Sequence, residues 1–281
     1  MTKYDFIVIG SGCGLMFTEG ALGYGKKCAI VENFKFGGTC LTKGCIPSKV
    51  LVYPADLIRE AEEGERIGIR FQKPQIDWNE ISKRVWRQID LHEKVEARIN
   101  KLKNLDVYKG TAQFTGPHTI KIKNNEGEFY TEIEAENFVI AAGAHSFVPP
   151  IKGLQEAGYI TSELFFGSKY PKRPYESLAI IGAGPIGAEF AHIFASFGTK
   201  VSLIEMNPRI LSTEEEEVSE VVRKQFVKDN INVYTSTKTL QVTIENNMKV
   251  LHLENMTENS KFKVECEEIL IASGVRSNAP S

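Results

Sequence analysis

The sequence predicts an α/β chain made of two doubly wound, Rossmann-like dinucleotide-binding domains with parallel sheets and an added antiparallel β patch. Three observations predict it. A strand, glycine turn, helix and strand occur in that order twice: YDFIVIGSGCG at 4–14 leads to CAIVE at 28–32, and SLAIIGAGPIG at 177–187 leads to VSLIE at 201–205. Such an order builds parallel strands joined by a crossover helix. At 281 residues the chain is long enough for two domains with separate cores. Between the two motifs, short alternating runs at 106–140 read as antiparallel strands.

Taken in order, the first domain is expected over 1–150, with a helical excursion at 45–103. Residues 45–63 have helical period, and Pro54 is expected to kink or restart that helix. Residues 78–103 read as one long amphipathic helix, with Ile81, Val85, Ile89, Val95, Ile99 and Leu102 along one face. Both tryptophans read as packing. DVYKG, AQFTG, HTIKIK, EFYTEIE and FVIAAG supply the antiparallel patch, and FVPPIKG closes the domain near 150. The second domain is expected over 151–275, with 276–281 starting a return segment. In it, KYPKRPY at 169–175 reads as a loop whose basic residues are solvated. TEEEE at 213–217 opens a helix, where acids favour the positive end of the dipole. Segments 238–245, 248–253, 261–265 and 267–271 read as strands.

Composition narrows the function classes. A chain that is 42% apolar and 25% charged, with net charge −2, gives no electrostatic case for nucleic acid or an anionic membrane. No secretory segment and no stretch of about 20 apolar residues is present, so a cytoplasmic protein is expected. Cys13, Cys28 and Cys266 stand apart in sequence and read as small buried apolar residues.

The second turn carries the full GxGxxG pattern in Gly182, Gly184 and Gly187. The first glycine allows the tight turn, the second lets a pyrophosphate approach, and the third lets helix and strand pack closely. Glu205 ends the next strand, where a carboxylate can accept from a ribose diol and would repel a 2′-phosphate; NAD is favoured over NADP. The first turn is less regular. Gly10 and Gly12 are present, Leu15 holds the third position, Gly14 lies one residue early, and Glu32 supplies the acid.

GGTCLTKGCIPSK at 37–49 contains Cys40 and Cys45, which could be a metal clip, a staple or a redox pair. A zinc site needs about four ligands, and no second Cys/His pair lies at suitable spacing, so no metal is assigned. A staple across so short a loop would stabilise little. The redox reading uses the neighbours. Glycines let backbone pass close to a flat cofactor, Pro47 suits the first turn of a helix starting near Cys45, and Lys49 adds a cation one turn on.

That segment resembles the redox-active disulfide segment of the flavoprotein pyridine-nucleotide disulfide oxidoreductases, leaning toward the dihydrolipoamide dehydrogenase and mycothione reductase branch. The resemblance runs along the chain through GSG, Glu32, GTAQF at 110–114, IAAG at 140–143, GAGPIGAE and SGVRSN at 273–278. It implies FAD held by the first turn (Gly10, Gly12, Gly14, Glu32), by Gly38, Thr39 and Lys49, and by Ala112, Ala142 and Gly143. It implies NAD on Gly182, Gly184, Gly187, Glu189 and Glu205, with Gly274 also in the cofactor set. Cys45 would be the thiol beside the flavin and Cys40 the outer thiol that exchanges with a small-molecule or lipoyl-type disulfide. Lys49 is expected to pair with Glu189 and so bridge the cofactor sites. Ala142 replaces the family's usual threonine, and Arg276 falls one residue late in its motif and is assigned no contact.

The family's pattern also implies a homodimer and a C-terminal interface domain with a His–Glu acid/base pair. That domain is read as absent here, making the chain a truncated member. None of His92, His118, His145, His192 and His252 has the required HPTxxE context, and none is assigned catalysis; His192 reads as surface or packing. The alternative is an inactive or diaphorase-only fragment binding FAD and NAD. A small thioredoxin reductase is disfavoured because its CxxC belongs in the nicotinamide domain. Mercuric reductase is disfavoured for want of a terminal cysteine pair and an N-terminal metal-binding module.

Overall fold

β1 (Thr2–Ile9), α1 (Cys13–Gly23) and β2 (Cys28–Glu32) form the first crossover in the computed structural model, which describes residues 1–72 and 74–279. α2 (Gly38–Thr42), α3 (Cys45–Gly64), α4 (Trp78–Ile89) and α5 (Leu91–Ile99) follow. Then come β3 (Leu105–Lys109), β4 (Thr111–Gly116), β5 (Thr119–Lys123), β6 (Phe129–Ile140) and β7 (Ala144–Ser146). The remainder runs α6 (Leu154–Ala157), β8 (Ile160–Thr161), α7 (Ser162–Phe165), β9 (Ser177–Ile181), α8 (Pro185–Ser196), β10 (Lys200–Ile204) and α9 (Glu216–Lys228). It ends with β11 (Asn232–Tyr234), β12 (Thr237–Glu245), β13 (Met248–Asn255), β14 (Ser260–Cys266), β15 (Glu268–Ile271) and β16 (Val275–Ser277).

Two compact units result, the first comprising 1–47, 86–145 and 277–281 and the second 48–85 and 146–276. The structure thus groups Ser48–Val85 with the second unit, where the sequence reading kept the whole helical excursion in the first. Side-chain chemistry explains it. Trp78 Nε1 donates to the Pro171 carbonyl (2.9 Å), its ring stacks on Tyr170, and Arg59 Nε donates to Ser196 Oγ (2.9 Å). Of the expected return segment at 276–281, Pro280 and Ser281 lie outside the described residues.

The first unit is built on a six-stranded sheet in the order β3-β2-β1-β6-β5-β4. Its β3-β2-β1-β6 half is parallel, and β6-β5-β4 is antiparallel. The patch expected from 106–140 is therefore smaller than its sequence span. DVYKG pairs parallel with β2, and EFYTEIE and FVI form one strand, β6, whose second half pairs parallel with β1. Alternation on β2 sends Ala29 and Val31 to one core with Tyr4, Ile120 and Ile133; Cys28 and Ile30 go to the other with Leu15 and Ile99. The expected helix over 78–103 is two helices broken at Asp90. The break follows the change of packing partners: Trp78 and Phe197 meet edge to face, whereas Ile99 and Val95 pack with Val8 and Leu105. Pro54, by contrast, sits inside a continuous α3.

In the second unit a five-stranded parallel sheet runs β11-β10-β9-β15-β8, repeating the 3-2-1-4 order of the first around β9. An antiparallel β12-β13-β14 sheet packs Val242, Leu251, Leu253 and Val264 against Ala179, Ile181 and Ile269 of the parallel sheet. Phe190 and Phe194 of α8 pack edge to face on Phe165. The acid-rich stretch places Glu216 and Glu217 in the first turn of α9. Arg173 is exposed, as expected, and also forms a forked surface pair with Glu267 (3.0 and 3.2 Å).

Candidate functional site

Each glycine turn is built the same way. Gly10 has φ 103°, and a Cβ there would lie 2.1 Å from the Ala141 carbonyl oxygen; Gly182 has φ 104°, and its Cβ would lie 2.4 Å from that of Ala272. Both positions therefore exclude every side chain, by strain and by overlap with backbone. The acid after the second strand then holds the turn. Glu32 Oε2 accepts from the Ser11 amide (2.9 Å) and Ser11 Oγ (2.7 Å), and Oε1 accepts from the Phe34 amide (2.8 Å). Glu205 Oε2 accepts from the Ala183 amide (2.8 Å), and Oε1 accepts from the Asn207 amide (2.9 Å).

Close helix–strand packing falls to Gly187 in the second turn, where a Cβ would lie 2.0 Å from the Gly182 oxygen. In the first it falls to Gly14, whose Cβ would lie 2.7 Å from Val8 Cγ1. Gly14 thus supplies the closeness expected of the third fingerprint position, and Leu15 joins the core. Gly184 is different: a Cβ there meets nothing within 4 Å. α1 and α8 both begin without a side-chain cap, leaving first-turn N–H groups available to phosphate oxygens. Uncapped helix starts, close turns and a carboxylate at the strand end fit a dinucleotide in both units.

The cysteine segment is packed onto the first turn. A Cβ on Gly38 would lie 2.4 Å from Gly12 Cα, so the two backbones touch. The Gly37 amide donates to Ser11 Oγ (3.1 Å), and Thr42 Oγ1 donates to the Gly38 carbonyl (2.8 Å). Cys40 lies in α2, Cys45 opens α3, and both are exposed thiols. Their side chains are within hydrogen-bonding reach, and that hydrogen bond, with burial, raises the Cys40 thiol above its ordinary value. Among the described residues, no group of three or more His, Cys, Asp or Glu is arranged to hold a metal.

Other predicted residues fall as follows. Thr39, in α2, is exposed and accepts the Lys43 amide on its carbonyl (2.9 Å). Ala112 lies on β4 opposite Ile122, beside the Tyr4 core. Ala142 and Gly143 follow Ala141, whose amide donates to the Ile9 carbonyl (2.8 Å), so this stretch lies against the first turn. Asn278 donates to the Ala142 carbonyl (2.9 Å). The Gly274 carbonyl accepts the Phe147 amide (2.9 Å), and Arg276, left unassigned by sequence, stacks 3.9 Å over the Phe147 ring. Lys49 is ion-paired with Glu189, and both belong to the second unit. His192 Nε2 lies 2.8 Å from Asp56 Oδ1, a packing role as expected.

Sequence reasoning passed over two residues. Ser11, fully buried, links Glu32 to Gly37 through one hydroxyl. A hydroxyl between the two turn glycines was the available signal. Cys13 was read as buried and is exposed, because as the first residue of α1 it precedes the turn of helix that faces the sheet. Cys28 and Cys266 are buried as expected.

The sequence profile of the pyridine nucleotide-disulphide oxidoreductases matches residues 4–281. A mercuric reductase of Bacillus cereus is 32% identical, with 96% of this chain and 42% of that protein covered. A dihydrolipoyl dehydrogenase of Bacillus subtilis (strain 168) is 30% identical, covering 99% and 60%. A solved structure, the Cu(II) complex of the HOCl-induced flavoprotein disulfide reductase RclA from Escherichia coli, superposes with TM-score 0.84 at 26% identity, covering 99% and 58%. The chain spans about half the length of these relatives. Mercuric reductase and dihydrolipoyl dehydrogenase match it at similar identity, so the sequence ground for preferring the latter is weaker than the motifs alone implied.

Proposed function

Since this chain belongs to the pyridine nucleotide-disulphide oxidoreductase family, we propose that it is the FAD- and NAD-binding part of a dithiol/disulfide oxidoreductase of the dihydrolipoamide dehydrogenase kind, with Cys40 and Cys45 as its redox pair. One observation carries the reading: two thiols in hydrogen-bonding reach, on a segment whose Gly38 presses against Gly12 of a dinucleotide turn.

FAD, when bound, supplies two-electron transfer between a nicotinamide and a disulfide. The residues proposed to hold it are Gly10, Gly12, Gly14 and Glu32 in the turn, Gly38 and Thr39 on the cysteine segment, together with Lys49, Ala112, Ala142 and Gly143. NAD is proposed at Gly182, Gly184, Gly187, Glu189 and Glu205, and Gly274 completes the cofactor set. Open space at Gly184 supports close approach of a pyrophosphate there. A carboxylate at Glu205 supports NAD over NADP, because a 2′-phosphate would meet it as a like charge. Cys40 is the thiol that exchanges with a small disulfide substrate, and Cys45 closes the internal disulfide. Among the described residues no helix is long and apolar enough to cross a membrane. A cytoplasmic setting, where reductant keeps dithiol chemistry reversible, suits the pair.

The test is anaerobic. The purified chain, saturated with FAD and oxidised at the pair, receives one equivalent of NADH, and new thiols are counted with a chromogenic disulfide. Both cysteines should become titratable in the wild type, and none should in Cys40→Ser or Cys45→Ser. Flavin bleaching without new thiols would leave only a diaphorase, and failure to retain FAD would overturn the nucleotide reading.

A further inference from the structure

Three exposed cysteines, not two, gather at the first turn. Cys13 is the first residue of α1, directly after Gly12; Cys40 lies two residues after Gly38; and Gly12 and Gly38 are in backbone contact. The start of α1 and the start of α2 therefore meet. Cys13 lies close enough to act electrostatically on the Cys40 thiol, which also lies within reach of Cys45. Cys28 and Cys266 are buried and take no part. Cys13 has no role in the redox pair or in the glycine chemistry of the turn, yet it occupies a solvent-open position beside the thiol that exchanges with substrate.

We propose that Cys13 is a third exchange thiol, able to displace Cys45 from Cys40. The inference rests on the redox reading of Cys40 and Cys45. The Cys13 thiolate attacks Sγ of Cys40, a Cys13–Cys40 bond forms, and the Cys40–Cys45 bond breaks with its electron pair leaving on Cys45. The proton that Cys13 loses goes to solvent, and Cys45 departs as thiolate or takes up a proton in turn. One disulfide replaces another, so neither oxidant nor reductant is consumed. The product would tie the N-terminus of α1 to α2 across the Gly12–Gly38 contact, and would leave Cys45 as the exposed nucleophile.

Trypsin separates the three positions, because Cys13, Cys40 and Cys45 fall in peptides 4–26, 36–43 and 44–49. The chain is treated with oxidised glutathione, quenched in acid and digested without reductant, and linked peptides are read by mass spectrometry. Wild type should yield 36–43 joined to 44–49, which tests the parent reading by itself. Cys45→Ser should yield 4–26 joined to 36–43 as the main Cys40 species. Cys13→Ser/Cys45→Ser should keep glutathione on Cys40. If Cys45→Ser retains that adduct while Cys13 stays alkylatable, Cys13 is no exchange thiol. Wild type gives an independent check that no variant can spoil by misfolding. After the 40–45 disulfide forms, raising the pH to about 9, near the ordinary thiol range, should produce a minor 4–26/36–43 species and a matching share of alkylatable Cys45. Its complete absence overturns the proposal.

Discussion

Gly187→Ala sets two known effects against each other. Gly187 lies inside α8, where exchanging glycine for alanine should stabilise the helix by about 1 kcal/mol. The same Cβ would sit 2.0 Å from the Gly182 carbonyl oxygen and 3.4 Å from Ala272 Cβ. The first contact is more than 1 Å inside ordinary separation and is made to backbone, so α8 or the glycine turn must move. Overpacking of this kind typically costs roughly 1–3 kcal/mol, which cancels the propensity gain and leaves net destabilisation of up to about 2 kcal/mol. Gly20→Ala supplies the reference: it lies in α1 with nothing within 4 Å of the added methyl, so only the gain of about 0.5–1 kcal/mol should remain. Gly184→Ala completes the set, since its methyl also meets no protein atom yet, on the proposed reading, takes up space a pyrophosphate would use. Urea denaturation followed by circular dichroism reads stability, and fluorescence quenching reads NADH binding. Gly187→Ala should lower the midpoint, Gly20→Ala should raise it, and Gly184→Ala should leave it in place while weakening NADH at least tenfold. A Gly187→Ala protein as stable as Gly20→Ala would refute the claim that this glycine is there for close packing. Unchanged NADH affinity in Gly184→Ala would refute the assignment of that opening.

Glu205→Gln keeps an acceptor for the Ala183 amide and removes the charge; the NADPH-to-NADH preference should rise about fivefold, as roughly 1 kcal/mol for one like-charge pair in water implies, measured by paired titrations. Cys45→Ala removes the hydrogen bond that chiefly raises the Cys40 thiol, so the midpoint of Cys40 alkylation against pH should move down from above its ordinary value of 9.0, read with iodoacetamide and peptide mapping. A double-mutant cycle of Lys49→Met and Glu189→Gln should give coupling of about 0.5–1 kcal/mol at low salt, shrinking as salt is added, because Lys49 is largely exposed.

What could be read from sequence was the backbone grammar. Short apolar runs, glycine turns and an acid about twenty residues on placed β1, β2, β9 and β10 because those patterns are local and repeated. Strand direction within 105–140 was not readable, because Leu105–Lys109 looks the same whether β2 receives it parallel or a hairpin returns it antiparallel. The break at Asp90 was hidden for a similar reason: the apolar period continues across it, and only the change of partners from Phe197 to Val8 and Leu105 makes two helices. Cys13 was misjudged because isolation in sequence says nothing about what a turn brings beside it. The third glycine of the first turn was legible only in part. A pattern fixes its position, whereas packing requires only that some small residue pass Val8, and Gly14 meets that need one residue early.

The two turns share one plan and differ in a single respect that bears on how each would hold its nucleotide. At the second glycine of the first turn, Gly12 is met by Gly38, and Ser11 is tied both to Glu32 and to Gly37. At the same place in the second turn, Gly184 faces open space, and Ala183 offers Glu205 an amide but no hydroxyl. The loop after β2 therefore presses Gly38 onto its turn, while the segment after β10, though its Leu211 amide donates to the Ala183 carbonyl (2.8 Å), leaves the space beside Gly184 open. A ligand entering the first turn must be accommodated by α2 and the one thiol it carries, Cys40, so binding and the placement of that thiol are mechanically linked there. A ligand at the second turn meets no such obstacle. On the proposed reading this asymmetry suits a nucleotide that stays at the first turn through many cycles and one that comes and goes at the second. It predicts dissociation from the first site that is slower than from the second and is accelerated by Gly38→Ala, whose methyl would force α2 away from Gly12. Stopped-flow displacement of FAD and of NADH from the same preparation measures both rates, and equal rates, or no acceleration in the variant, would break the link between closure and retention.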